Sequence, residues 1–172
     1  VRGGSGDGQH RGLQTGLPVA VTGSKVYEIF QRAGLPPGVL NFLPGPGGEI
    51  GDFLVSHPDM AFITFTGSVE VGLRIIELAA KTPAGAMGIK SVVAEMGGKN
   101  AIIVDSDADV DEAVVHTIYS AFGYQGQKCS ACSRVIVLEE NYDSFVERLV
   151  QAAGSINIGP VEEPGNFMGA VI

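Results

Sequence analysis

A thiolate adds to a carbonyl carbon far better than a hydroxyl does at neutral pH. Both cysteines of this 172-residue sequence fall in one stretch, Gly123-Tyr124-Gln125-Gly126-Gln127-Lys128-Cys129-Ser130-Ala131-Cys132. Cys129, on a turn flanked by glycines, is therefore a candidate nucleophile. The same pair also spells C-x-x-C. A redox dithiol should open a helix in a different βαβ setting, and a zinc half-site needs two further ligands. There is no other cysteine, and His10, His57 and His116 show no ligand spacing. Inert, buried thiols are the remaining alternative.

Two earlier stretches could serve such a nucleophile. In Glu95-Met96-Gly97-Gly98-Lys99-Asn100 a carboxylate closes an apolar run beside two glycines. Desolvation at a strand end would raise its pKa and make it a general base, whereas a solvated strand-end glutamate followed by a turn would do no chemistry. In Phe65-Thr66-Gly67-Ser68-Val69-Glu70-Val71-Gly72 a glycine turn joins an apolar run to a helical pattern. Free amides at the helix start and a serine hydroxyl suit an anion such as phosphate, and the competing reading is a tight connection that binds nothing. Gly45-Pro46-Gly47-Gly48 is a weaker loop of the same kind, without dinucleotide spacing.

The elements that must position these residues alternate. Val26, Ile29, Phe30 and Ala33 recur at helical spacing, with Ser24 as the expected N-cap and Gly34 as the stop. Leu35-Pro36-Pro37-Gly38 turns the chain into a short strand through Val39, Leu40, Phe42 and Leu43. Gly48 to Ser56 reads as a short helix, Met60 to Phe65 as a buried strand, and Val69, Leu73, Ile76 and Ala80 as the apolar positions of another helix. Strands are expected at Ser91 to Ala94 and Ala101 to Val104. A helix then spans about Asp109 to Phe122, with Val110, Val114, Ile118 and Phe122 on one face. Arg134 to Leu138 completes the strands, and a last helix covers Tyr142 to Ala153 with Asn141 as its cap. Alternation of this kind predicts an α/β fold with parallel strands.

Composition narrows the function classes. Eleven lysines and arginines against 19 aspartates and glutamates give a net charge of -8, which repels phosphate backbones and anionic membranes. Nucleic acid and membrane are thus not expected as partners. The apolar runs fall far short of the roughly 18 residues that span a bilayer. Val1 to Gly12 is polar and glycine-rich without an apolar signal core, so reduced thiols and a cytoplasmic location are expected.

Taken together and in this order, the three motifs resemble those of the aldehyde dehydrogenase superfamily, F-T-G-S-x-x-V-G, E-x-G-G-K-[NDS] and G-Q-x-C. Glu95 stands 34 residues before Cys129, as the family pattern requires. Ala33-Gly34-Leu35-Pro36-Pro37-Gly38-Val39-Leu40-Asn41 adds the family's A-G-x-P-x-G-V-x-N stretch. The wording around Cys129 and the Phe42-Leu43-Pro44-Gly45 loop look most like the 1-pyrroline-5-carboxylate dehydrogenases, which oxidise glutamate semialdehyde to glutamate in proline catabolism. Cys132 departs from that pattern, where a small residue is usual.

The resemblance implies part of a Rossmann-like coenzyme-binding domain over residues 23–94, followed by the start of an α/β catalytic domain over 95–172. It implies Cys129 as the nucleophile toward an aldehyde and Glu95 as the base. Gly67, Ser68 and Gly72 would hold the pyrophosphate of NAD (or NADP), with Met96 and Gly97 near the nicotinamide, and no metal is implied. Full-length members are expected to be homo-oligomers. The upstream asparagine of the family's oxyanion hole and the downstream glutamate that holds the nicotinamide ribose have no counterpart here. The chain on its own is therefore expected to be inactive, and the alternative is a catalytically dead remnant acting as a nucleotide-binding or interaction module.

Residues 1–22 do not fit the alternating rhythm: by composition Arg2 to Gly12 reads as a flexible terminal segment, and beside the family pattern residues 1–22 read as an irregular segment compatible with an out-of-frame origin. Codons GGG CAA CAC CGT GGT CTT CAA ACC GGC would encode Gly8 to Gly16, and read one base later they give G-N-T-V-V-F-K-P. The family carries that wording just before this point, and its lysine contacts the adenine ribose.

Overall fold

The computed structural model describes residues 11–13, 19–86 and 88–172. The out-of-frame expectation for Gly8 to Gly16 falls largely outside these residues. The chain divides into two compact units, Val1–Glu95 and Met96–Ile172.

Among the described residues the first unit contains two strand pairs, and both are parallel. Strand β1 (Arg11–Leu13) pairs with β2 (Leu40–Phe42), and helix α1 (Ala20–Arg32) lies between them in sequence. A parallel pair needs a crossover rather than a hairpin, and α1 supplies it. Helix α1 begins at Ala20, four residues before Ser24, so Ser24 is not the N-cap. Inside the first turns its hydroxyl donates instead to the Val21 carbonyl at 2.7 Å, the bond a mid-helix serine makes back along its own helix. The stop at Gly34 is as expected. Gly34 takes φ of 86°, its N–H donates to Gln31 and that of Leu35 donates to Phe30, which closes the helix in a Schellman motif.

Strand β3 (Phe62–Thr66) and β4 (Ser91–Glu95) form the second pair, and α3 (Val69–Ala80) makes the crossover. Between the two pairs, a π turn at Gly47–Gly51 runs into the short helix α2 (Asp52–Ser56). Arg74 of α3 fastens α2 through a two-pronged contact with Asp52, one prong being Nε to Oδ1 at 3.0 Å. The guanidinium's hydrogen bond holds the Asp52 carboxyl below its ordinary value, against an opposing effect of desolvation and with a lesser contribution from the guanidinium's charge. On α3 the residues most removed from solvent are Gly72 and Ala79, whereas Leu73 and Ile76 remain exposed.

The second unit repeats the plan. Strand β5 (Asn100–Val104) pairs in parallel with β6 (Cys132–Val137) across α4 (Val110–Phe122), and α5 (Glu139–Gly154) follows. Val104, Val114 and Phe145 form its core, and Val104 and Phe145 are each 1% exposed. Ile102, Val135, Val137 and Leu149 pack around them. Asp109 caps α4 by accepting from the N–H groups of Asp111 and Glu112, and the face carrying Val114 and Ile118 turns inward as its spacing predicts. Asn141 does not cap α5, which starts at Glu139. Its amide instead donates to the carbonyls of Asp105 and Ser106 at 2.7 and 3.1 Å, tying the start of α5 to the β5–α4 connection. No helix among the described residues is long and apolar enough to cross a membrane.

Lys90 leads into β4, the strand that ends at Glu95. It is 7% exposed and donates from Nζ to the Val55 carbonyl at 2.6 Å, meeting the last turn of α2 where unpaired carbonyls gather. Lys90→Met removes that donor and strands a buried acceptor. Stability should fall by about 1 to 3 kcal/mol, read as a lower urea midpoint at unchanged slope.

Candidate functional site

In the first unit two of the motifs meet through the backbone. The β3–β4 register pairs Thr66 with Glu95, and beyond it the Gly67 N–H donates to the Glu95 carbonyl at 3.1 Å. The glycine turn and the carboxylate residue therefore share the carboxyl end of one parallel pair, the end at which open α/β sheets receive ligands. The ring of Phe65 lies where a Cβ on Gly67 would stand, so any larger residue there requires that ring to shift.

Ser68 then opens α3. Its Oγ accepts from the Val71 N–H at 3.3 Å, which leaves the hydroxyl hydrogen free to donate elsewhere. Gly72 follows one turn on, buried, with its N–H donating to the Ser68 carbonyl at 2.9 Å. Gly67, Ser68 and Glu95 are all exposed. The α3 start thus presents an accessible helix N-terminus with a hydroxyl beside it, the donor set a phosphate group needs. Past the strand end, Met96 is half-buried, and a Cβ placed on Gly97 would meet no atom within 4 Å.

In the second unit, α4 ends at Phe122 and the chain enters a turn in an unusual conformation. Tyr124, Gln125 and Gly126 take φ of 57°, 56° and 68°, three consecutive residues in the left-handed region. Glycine occupies that region freely, but the other two do so only when their surroundings hold them. Two glutamines supply ties. The Gln125 amide lies 2.8 Å from the Gly169 nitrogen, and turning it over lets its oxygen accept that N–H while its NH2 donates to the Tyr124 carbonyl; Gln127 Oε1 accepts from the Ile172 N–H at 2.9 Å. Ring contact of Tyr119 with Phe167 at 5.4 Å supports the same closing segment.

This turn delivers Cys129 in an exposed position as a free thiol. Lys128 beside it sets its ammonium over the Tyr124 ring, 5.7 Å from the centroid. Cys132 is half-buried as the first residue of β6, and its Sγ donates to the Arg134 carbonyl at 3.2 Å. The two sulfurs are unbonded, and no group of three or more metal-ligating side chains exists among the described residues.

Sequence reasoning missed three contributors, namely Gln125, Gln127 and Asn100. The Asn100 amide donates to the Cys129 carbonyl at 2.7 Å and lies 3.4 Å from that of Ala131. Its place as the last residue of the second motif was the only available signal.

The arrangement belongs to a recognisable class. A family model described as "Aldehyde dehydrogenase family" matches residues 17–172, and the chain belongs to that family. It is 51% identical over 160 residues to the 1-pyrroline-5-carboxylate dehydrogenase of Geobacillus thermodenitrificans, and 51% identical over 152 residues to that of Bacillus subtilis. These matches cover 93% and 88% of this chain. The chain spans only 31% and 30% of the length of those relatives. Among solved structures, 1-pyrroline-5-carboxylate dehydrogenase from Thermus with bound NAD superposes with a TM-score of 0.90 at 46% identity, over 94% of this chain and 31% of that one. Proline utilization A from Bdellovibrio bacteriovorus gives 0.92 at 51% identity, over 94% of this chain and 17% of that one.

Gly126 is the point at which this site is most sensitive to a single methyl group. A Cβ there would lie 2.8 Å from the Ala121 carbonyl oxygen, in a backbone conformation that alanine resists. Gly126→Ala should cost about 1 to 2 kcal/mol in thermal or urea unfolding. Gly123→Ala, where no atom lies within 4 Å of the new methyl, should be close to neutral.

Proposed function

We propose that this chain carries the nucleophile, the base and the coenzyme turn of an NAD-dependent aldehyde dehydrogenase whose substrate is glutamate semialdehyde, in equilibrium with 1-pyrroline-5-carboxylate. The bond from the Gly67 N–H to the Glu95 carbonyl carries the reading, because it joins the phosphate-binding turn and the general base at one strand end. Residues 23–94 are read as the coenzyme-binding part and 95–172 as the catalytic part. The whole reaction belongs to a longer assembly, given that the relatives are about three times the length of this chain.

The residues present fit the coenzyme. Gly67, Ser68 and the first amides of α3 would take its pyrophosphate, with Gly72 packed beneath that turn, and the open space at Gly97 beside Met96 would admit the nicotinamide end. NAD, when bound, supplies the two-electron acceptor for the oxidation. In this chain, the Cys129 thiolate forms a bond from Sγ to the aldehyde carbon, and the carbonyl oxygen takes up the electron pair. After oxidation that carbon remains on Sγ as a thioester. Glu95 takes a proton from water as the water oxygen bonds to the acyl carbon, the C–S bond breaks with its electron pair going to sulfur, and the carboxylic acid and thiolate separate, the acid then giving its own proton to solvent. Glu95 can also take the thiol proton before the first step.

Residues 17–172 can be tested in a full-length setting by substituting them for the matched segment of the Bacillus subtilis relative. NADH formation from glutamate semialdehyde should then appear, and Cys129→Ala should reduce it by about a thousandfold or more. Equal rates in the two proteins would remove the cysteine mechanism. In the 172-residue chain itself, iodoacetamide should label exposed Cys129 ahead of half-buried Cys132, and NAD should slow that labelling. Peptide mapping that found Cys132 modified first would favour the dithiol alternative.

A further inference from the structure

The chemistry proposed above gives no task to Asn100, yet its side chain makes the closest polar contact to the candidate nucleophile's backbone among the described residues. Asn100 Nδ2 donates to the Cys129 carbonyl at 2.7 Å, with the Ala131 carbonyl at 3.4 Å. One amide on β5 thus reaches across both sides of Ser130. The strand ladder explains why a side chain is needed there. Asn100 pairs with Cys132, but Ala101 pairs with Arg134, so Ser133 is an extra residue and the start of β6 is bulged. A bulge interrupts the regular exchange of backbone hydrogen bonds, and carbonyls just ahead of it must find other donors.

The turn upstream increases the need for an anchor. Tyr124 and Gln125 hold left-handed conformations that non-glycine residues rarely adopt by themselves, and the side-chain ties of this turn, Gln125 to Gly169 and Gln127 to Ile172, lie on the far, closing-segment side. On the β6 side, the bond from the Ala131 N–H to the Lys128 carbonyl at 3.1 Å closes the turn locally, and Asn100 then joins that turn to the sheet. The peptide group is planar, so holding the Cys129 carbonyl fixes the plane of the Cys129–Ser130 peptide, and with the bond from the Ala131 N–H to the Lys128 carbonyl holding the preceding side, rotation about the Cys129 Cα–C bond is held as well. With that rotation fixed, the Cα–Cβ bond leaves the backbone in one direction relative to β5.

We propose that Asn100 is a positioning residue for Cys129: its amide clamps the Cys129 and Ala131 carbonyls to the first residue of β5, so that the thiol is presented to an incoming carbonyl from one backbone conformation. This role rests on the reading of Cys129 as the nucleophile. Presentation matters because displacement of a reacting atom by about 1 Å can cost on the order of a hundredfold in rate.

The test uses the 172-residue chain with Cys132→Ala, so that Cys129 is the single thiol. Asn100→Leu keeps similar bulk and removes the donor. Asn100→Gln keeps the amide on a longer arm. Two quantities are read: amide hydrogen exchange of Cys129 to Ala131, and the rate of iodoacetamide alkylation at Cys129 at one fixed pH, with a free peptide spanning residues 123–133 as the unanchored reference. With Asn100 in place, the alkylation rate should differ from that of the peptide. In Asn100→Leu, exchange at 129–131 should rise by about tenfold, as expected for losing a hydrogen bond at the strong end of the usual range, and the alkylation rate should converge on the peptide's. Exchange at Val104, in the core, should not change. Asn100→Gln should restore both quantities at least in part, which general damage to the strand would not allow.

Identical alkylation rates for the peptide and the parent chain, or for the parent and Asn100→Leu, would overturn the clamp. So would a Gln variant indistinguishable from Leu. Aldehyde-dependent NADH formation that survived Cys129→Ala in the full-length setting would remove the proposed reaction without altering these exchange and alkylation rates, so the two failures are separable.

Discussion

Two parallel strands cannot be joined by a hairpin, and each pair in this chain is closed by a helix that carries the backbone from the end of one strand back to the beginning of the next. That constraint organises the positions of the chemical groups. Because β3 and β4 run the same way, their carboxyl ends lie side by side, and the residues that follow β3 meet the residue that ends β4. The Gly67 to Glu95 hydrogen bond is the direct expression of this geometry. A helix start must follow β3 for the crossover to begin, so exposed amides of α3 arise beside Glu95 from the same requirement.

The second unit uses its parallel pair differently. Here the chemically interesting residue lies where the chain enters β6 after leaving α4, at the amino end of the pair. No helix start serves it. The turn from Gly123 to Ala131 is held instead by side-chain amides, with Gln125 and Gln127 reaching the closing segment and Asn100 reaching the turn from the start of β5. Amides suit this work because they both donate and accept, and the groups to be satisfied are backbone carbonyls and N–H groups of an irregular segment.

Strand composition and burial show a further division of labour. Strands β5 and β6 are apolar on both faces, the pattern of a parallel sheet covered on two sides. Helices α4 and α5 bury one face around Val104 and Phe145, whereas Ile103 and its register partner Ile136 on the other face are 71% and 49% exposed. Pattern alone identifies these segments as strands, but it does not say which face the described helices cover. That is decided by the helix faces bearing Val114 and Phe145, which fit against Ile102, Val135 and Val137.

The sequence by itself determined the alternation of helices and strands, the ends of α1 and α4 at Gly34 and Asp109, and the three motifs with their order and spacing. These are local properties: hydrophobic period, cap chemistry and residue type all act within a few positions. Tertiary structure decided the rest. Ser24 and Asn141 are both good cap residues, yet one donates back into its own helix and the other donates to carbonyls some 35 residues away, because partners there were nearer than a helix end. Left-handed backbone at Tyr124 and Gln125 has no signature in residue type, and the ties that Gln125 and Gln127 make beside it go to a segment some 45 residues on. The contact of Asn100 with the Cys129 carbonyl likewise depends on a strand register and a bulge. Short polar side chains have several partners of similar energy, and only the packed chain brings one of them within reach.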